Sequence, residues 1–368
     1  MAIDSVRPDP RSLLPPDTPV QLLAPDGTFT EDPDWPIDLS DGQLLELYRV
    51  MVVARHVDAQ AIKLQRQGQL GVYASLHGQE AAQIGSAFAL AEQDWVFPSY
   101  REMGVALVRG LEPAELLHVF RGTWLGAHDP AKHRFGLITI SIGTQALHAA
   151  GFAMAAKLDG ADCCAVCYLG DGATSEGDTH EAMNFAGVFG APCVFFVQNN
   201  QYAISVPVTR QTRAPTIAHK AVGYGMPGYR CDGNDVLGTY AVMRHALRHA
   251  REGRGPCLVE AITYRMEAHT TSDDPTRYRK AEELEQWRAK DPIARFARFL
   301  RDRDLLDDNT DTAIADAARA EAQTARAAIY EAPHGDPLEL FSHVYVDPPQ
   351  RLRDQRSQLR AELEGQDA

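Results

Sequence analysis

Between Tyr168 and Tyr202 the sequence reads YLGDGATSEGDTHEAMNFAGVFGAPCVFFVQNNQY. An apolar run ends in Gly170-Asp171-Gly172, a helix-favouring stretch passes through His180 to Phe189, and a second apolar run ends in Gln198-Asn199-Asn200. This pattern predicts a β-α-β crossover. Parallel strands start and finish at the same edges of a sheet, so Asp171 and Asn200 are expected close together at its carboxyl edge. Open α/β sheets bind their ligands at that edge.

A carboxylate beside a side-chain amide and a free backbone carbonyl offers hard oxygen ligands of the kind Mg²⁺ takes, and the remaining positions suit phosphate oxygens and water. Glycines on both sides of Asp171 let a diphosphate approach the backbone. Taken alone, Gly170, Gly172 and Gly177 equally describe an ordinary turn opening a helix in a nucleotide-binding sheet. The Asn199-Asn200 pair is the discriminator, because a nicotinamide-binding fold places an acidic residue at the end of that next strand for the ribose. A metal-diphosphate site accounts for both ends together.

These two apolar runs, Cys163 to Leu169 and Cys193 to Val197, and a third, Cys257 to Thr263, alternate with helix-like segments, which predicts an α/β fold with a parallel sheet flanked by helices. Leu44, Leu47, Tyr48, Met51, Ala54 and Val57 recur at helical spacing, with Ser40 as N-cap and Gly68 as a stop. Residues 1–39, rich in Pro and Asp, read as an extended arm wrapping the body or a partner, 40–300 as the α/β domain, and 301–368 as a helical C-terminal extension. The Ala-rich run Thr312 to Ala328 and the residues Trp287, Phe296 and Phe299 read as packing or partner surface.

Composition narrows the function classes. The chain has 368 residues, 45% of them hydrophobic, which is enough for a full core. Lys and Arg total 36 against 50 Asp and Glu, a net charge of -14 that disfavours a general nucleic-acid role but leaves room for a local basic pocket. No stretch approaches the roughly 18 apolar residues of a membrane span. Asp4, Asp9 and Asp17 among several prolines are unlike a targeting leader, so a cytoplasmic protein is expected. Three of the six cysteines, Cys163, Cys164 and Cys167, fall inside one apolar run. A metal-binding pair is the alternative there, but the run continues a strand pattern and reads as core.

The stretch GDGATSEGDTHEAMNFAGVFGAPCVFFVQNNQYAIS resembles the thiamine-diphosphate signature of the alpha subunits of 2-oxo acid dehydrogenases, and the similarity runs from about Leu44 to Leu300. The resemblance implies a thiamine-diphosphate-binding fold of the diphosphate-binding type. It implies that Asp171, Asn200 and the Tyr202 carbonyl hold Mg²⁺, that Gly172 and Ala173 offer backbone groups to the diphosphate, and that Gly170, Ala203 and Ile204 line the cofactor. The run DWVFPSYREMG looks like the family's cofactor-contacting turn, with Tyr100 and Arg101 reaching the diphosphate. Without the resemblance, Arg101 reads as a helix-start residue pairing with Glu102. GQEAAQIGSAFAL resembles the helix before that turn and reads as scaffold.

YRMEAHTTSDDPTRYR is too polar for core and reads as a loop at the carboxyl edge. By resemblance His269 faces the cofactor's reactive end as the catalytic residue, Arg265 supports the loop, and Tyr278 and Arg279 anchor its far side. A lone loop histidine is otherwise more often solvated surface. Thr270 and Ser272 flank it, and in related mitochondrial subunits this loop is a kinase target.

Two departures stand out. Ser141-Ile142-Gly143 runs directly into Thr144-Gln145, where branched-chain members often have a longer loop. By resemblance this stretch meets the cofactor's aminopyrimidine, and in some members it binds a potassium ion, a site the short loop puts in question. Gln198 stands where some members have a basic diphosphate ligand, which shifts the load to Arg101.

The resemblance implies decarboxylation of a 2-oxo acid with acyl transfer to a lipoyl group, an alpha-two beta-two heterotetramer whose beta subunit supplies the activating glutamate, and docking onto a lipoyl-bearing acyltransferase. TSDDPTRYR favours branched-chain 2-oxo acids such as 3-methyl-2-oxobutanoate. QRQGQLGVYASLHGQEAAQIG and IGTQALHAAG also look like pyruvate-using relatives. A cofactor-free scaffold or regulatory subunit is the rival from another class, and Asp171, Asn200 and Arg101 speak against it.

Overall fold

The computed structural model describes residues 9–122, 128–332 and 335–366, so the first eight residues of the expected arm lie outside the described residues. Seven strands occur among them: β1 (Trp95–Phe97), β2 (Ala165–Gly170), β3 (Cys193–Asn199), β4 (Tyr202–Ala203), β5 (Val206–Pro207), β6 (Gly228–Asp232) and β7 (Cys257–Ile262). Five of these form a sheet of order β1-β2-β3-β7-β6 with every neighbouring pair parallel. The α/β parallel sheet is as expected. β4 and β5 form a small antiparallel pair just beyond the end of β3.

Strand side chains alternate between faces, and β3 shows what this does. Val194 and Phe196 enter one hydrophobic cluster, whereas Cys193, Phe195 and Val197 enter another. The first cluster is closed by helices Asp41–Arg66, Glu80–Phe88, Val236–His249 and Asp308–Glu331, the second by Thr144–Asp159 and Gly177–Phe189. Strands covered on both faces carry no polar alternation, which is why they read as continuous apolar runs.

Helix Asp41–Arg66 starts at Ser40, whose side chain accepts from Gln43 N while the Gln43 side chain accepts from Ser40 N. That reciprocal cap satisfies two otherwise orphaned donors. The helix stops where Gly68 takes a φ of +73°. The Ala-rich run lies within helix Asp308–Glu331, whose Ala318, Ala322, Ala325 and Ile329 pack into the same cluster as Leu47 and Met51.

The arm covers the open edge of the sheet. Val20 N donates to Arg230 O at 2.9 Å and Asp232 N to Val20 O at 2.9 Å, so β6 has a partner on its free side. Asp235 Oδ2 then accepts from Leu22 N at 2.6 Å and Leu23 N at 2.9 Å, which turns the arm onto the body.

Five cysteines are buried, Cys163 is half-buried, and all six are free. Burial pushes the Cys167 and Cys193 thiols up, as suits inert core groups. Among the described residues no group of three or more His, Cys, Asp or Glu could hold a metal ion, and no helix is long and apolar enough to cross a membrane.

Candidate functional site

The β2–β3 register pairs Gly170 with Gln198, so the residues that follow emerge together at the carboxyl edge. There Asn200 Oδ1 lies 3.1 Å from the Tyr202 carbonyl oxygen and 3.2 Å from Asp171 Oδ1, while its Nδ2 donates to Gln79 Oε1 at 3.2 Å. Three acceptor oxygens face one another. Either a cation sits among them or the amide turns over to donate to both neighbours, as amides are free to be assigned. Asp171 is 1% exposed, and burial pushes its carboxyl up against the opposing Gln211 hydrogen bond and the Arg265 charge. A buried carboxylate, an amide oxygen and a carbonyl form the donor set of a hard divalent ion. The fit to Mg²⁺ is good.

Beside this cluster is a cavity of about 210 Å³. Of the residues singled out in the sequence, Tyr100, Arg101, Ile142, Gly170, Asp171, Gly172, Ala173, Asn200, Tyr202, Ala203, Ile204 and His269 line it. Ser141 and Gly143 do not; they flank it, Ser141 exposed and Gly143 at the start of helix Thr144–Asp159 with a φ of +89°. At Gly172 any Cβ would come within 2.6 Å of the Ala203 Cβ, so only glycine lets the turn after β2 close onto the Tyr202–Ala203 segment. Gln201 and Ile204 hold positive φ values of 77° and 53° without being glycine, local strain of the sort that collects at functional sites.

Arg101 does not pair through its guanidinium with Glu102. Its Nη1 donates to Ser75 O at 2.5 Å and its Nη2 to His269 O at 2.9 Å. Glu102 instead accepts from Ser99 Oγ at 2.8 Å and from Gln198 Nε2 at 2.7 Å. Gln198 Oε1 is taken by Gln83 Nε2 at 3.0 Å, so both ends of its amide are engaged within the wall.

His269 sits between two guanidiniums. Its Nδ1 is 3.4 Å from Arg101 Nη2 and 3.4 Å from Arg265 Nη1, long contacts to groups that can only donate. Nδ1 must therefore accept, which puts the proton of the neutral ring on Nε2. Burial, then the charges of Arg101 and Arg265, push the imidazole down to about 4. At neutral pH the ring is uncharged and offers one N–H.

The loop holding it is tied down at several points. His269 N donates to Asp273 Oδ2 at 2.8 Å, Arg265 donates to Tyr202 O at 2.9 Å, Ile204 O at 2.6 Å and Tyr278 Oη at 2.9 Å, and Arg279 spans the carbonyls of Arg265, Met266 and Glu267. Ser272 is exposed, and Thr270 is half-buried with its Oγ1 accepting from Ser272 N at 3.4 Å.

Gln79, Ser99, Glu102 and Glu176 also line the wall, although the Gly78–Leu90 stretch reads in the sequence as scaffold alone. So does Gln145, whose Nε2 donates to Tyr168 O at 3.0 Å and whose buried Oε1 has no partner. Gln211, which donates to Asp171 Oδ2 at 2.5 Å, carried no local signal at all.

These features meet independent comparisons. A family described as Dehydrogenase E1 component matches residues 48–337. The 3-methyl-2-oxobutanoate dehydrogenase subunit alpha of Mycobacterium tuberculosis (strain H37Rv) is 52% identical over 345 residues, covering 94% of each chain. The pyruvate dehydrogenase E1 component subunit alpha of Staphylococcus aureus (strain Mu50) is 40% identical over 340 residues, covering 91% of each. A match across most of the chain, spanning every wall of the cavity, means that this protein belongs to the dehydrogenase E1 component family.

Proposed function

We propose that this chain is the alpha subunit of a thiamine-diphosphate-dependent dehydrogenase of branched-chain 2-oxo acids, such as 3-methyl-2-oxobutanoate, with acyl transfer to a lipoyl group. The gathering of Asp171, Asn200 and the Tyr202 carbonyl carries the reading, because together they supply hard oxygen donors that suit a cation at the edge where a diphosphate can approach. The higher identity to the 3-methyl-2-oxobutanoate relative than to the pyruvate relative supports the substrate class. Pyruvate is the second reading, since a hydrophobic pocket discriminates a methylene by only about 1 to 3 kcal/mol.

Thiamine diphosphate, when bound, supplies the electron sink for loss of CO₂. The protein's share is binding and orientation. Asp171, Asn200 and the Tyr202 carbonyl would hold Mg²⁺, and Gly172 and Ala173 would turn backbone groups to the diphosphate. Arg101 and Tyr100 would face it from the opposite wall, with Ile142, Gly170, Ala203 and Ile204 forming the apolar lining. Ser141 and Gly143 would act through the position of Ile142. A potassium ion at Ser141 to Gln145 is the lesser expectation, and the unpartnered Gln145 Oε1 is the acceptor it would use. His269, neutral, would present its Nε2 proton to an oxygen of the substrate or acyl group rather than withdraw a proton.

Residues 40–300 would form the cofactor-binding body, 1–39 its arm, and 301–368 the helical extension. A beta subunit would complete an alpha-two beta-two assembly and supply the activating glutamate, and a lipoyl-bearing acyltransferase would receive the acyl group. The assembly would work in the cytoplasm. Decarboxylation by the chain co-expressed with a beta chain, given thiamine diphosphate and Mg²⁺, compares 3-methyl-2-oxobutanoate with pyruvate. Activity that requires both chains and favours the branched substrate is expected; no activity and no bound cofactor would favour a silent scaffold.

A further inference from the structure

The segment Gln201–Gln211 leaves the end of β3 and returns to the same place. Tyr202 pairs with Pro207 and Ala203 with Val206 across β4 and β5, and Val208 N donates back to Gln201 O at 2.9 Å. The Tyr202 carbonyl stands at one end of this excursion and the Gln211 side chain at the other, with Asp171 between them. Gln211 Nε2 donates to Asp171 Oδ2 at 2.5 Å and to Val206 O at 2.9 Å. Turning the amide over would set its oxygen against two acceptors, so its orientation is determined. Ser175 Oγ donates to Gln211 O at 3.5 Å, which ties the same residue to the turn carrying Gly172 and Ala173.

We propose that Gln211 is a positioning residue for the cation site: by occupying Asp171 Oδ2 it leaves Oδ1 as the oxygen presented to the metal beside Asn200 Oδ1. The inference rests on reading the oxygen cluster as a Mg²⁺-diphosphate site. Ligating carboxylates are commonly held by an outer hydrogen bond, and removing such a partner costs roughly 10- to 100-fold in metal affinity. Without the donor, Asp171 can rotate or engage the cation through both oxygens, and the match to octahedral geometry is lost.

The test uses the complex of this chain with its beta subunit and reads Mn²⁺ binding by electron paramagnetic resonance in the presence of thiamine diphosphate. Gln211→Met keeps the length without the donor, and Gln211→Glu sets an acceptor against Asp171. Both are expected to weaken Mn²⁺ about tenfold or more, read at a temperature where circular dichroism shows each variant complex folded, because loss of the donor to buried Asp171 also lowers the thermal midpoint of the cofactor-free complex. Gln211→Met binding Mn²⁺ within about twofold of the wild type would overturn the proposal, since filling space would then suffice. A wild-type complex that binds no Mn²⁺ with thiamine diphosphate would overturn the site reading as well.

Discussion

Asp58 and Asp171 are both buried carboxylates, 2% and 1% exposed, and burial pushes both upward from the usual range. Their surroundings differ in one respect. Asp58, in the middle of helix Asp41–Arg66, accepts from Tyr73 Oη at 2.9 Å, Ser75 Oγ at 2.6 Å and Leu76 N at 2.8 Å. Asp171 has the Gln211 amide on one oxygen, while its other oxygen faces the Asn200 side-chain amide, which is free to be assigned either way round. Asp58 is saturated by donors and holds the segment Tyr73–Gly78 in place. Through that segment it steadies the cavity wall, because Ser75 O receives Arg101, Tyr73 O receives Thr271 N at 2.9 Å and His77 O receives Met266 N at 3.0 Å. Three close donors meet Asp58 and one side-chain donor meets Asp171, a difference that burial does not show and that suits Asp171 to the cation proposed for it.

The widest separation should come from deleting each in turn. Asp58→Ala strands three donors and is expected to cost roughly 3 to 5 kcal/mol of unfolding free energy, read by urea denaturation without cofactor. Asp171→Ala should leave that curve in place or shift it slightly toward stability, since it removes an under-compensated buried charge. Equal losses in the two variants would break the comparison.

On cofactor binding the order reverses for equal stability. Asp171→Ala is expected to weaken Mg²⁺-dependent thiamine diphosphate binding by roughly 2 to 3 kcal/mol, about thirty- to a hundredfold. Calorimetric titration of the complex with its beta subunit reads this, and an unchanged titration removes Asp171 from the site.

A smaller effect sharpens the same contrast through pH. His269 is held down to about 4, whereas an unfolded histidine titrates near 6.5. As pH falls through that window the unfolded chain takes up the proton first, so stability declines with acidification. His269→Gln should therefore lose less stability than the wild type between pH 7 and pH 5, and the same drop in both would mean that burial and the two guanidiniums do not keep the ring neutral. The smallest change expected is at Ser40, outside both clusters. Ser40→Ala should cost about 1 kcal/mol through the lost cap and leave cofactor affinity alone.

The crossover from β2 to β3 was legible because strand ends and glycine turns are local signals, and parallel topology converts them into a meeting of Asp171 and Asn200. The helix from Ser40 was legible for the same reason, its cap lying three residues from its partner. His269 was reachable only through resemblance; nothing in its spacing distinguishes it from a surface histidine. Gln79 and Gln211 gave no warning, and Glu102 read only as a partner for Arg101. Each acts through hydrogen bonds to a residue distant in the chain, Gln79 to Asn200, Glu102 to Gln198 and Gln211 to Asp171. Ser141 and Gly143 show the converse, since a matching motif placed them beside the cavity but not on its wall.

The amino-acid order thus determined which segments become buried strands and helices, and which residues must gather at the carboxyl edge, since both depend on apolar periodicity and turn chemistry within a few tens of residues. Tertiary structure alone decided that Asn200 and Gln211 meet the two oxygens of Asp171, which ring nitrogen of His269 is left to carry its proton, and that Asp58 is scaffold. Those outcomes depend on the donors brought within about 3 Å by distant segments, and a polar side chain's chemistry is settled by the partners left to it once water is excluded.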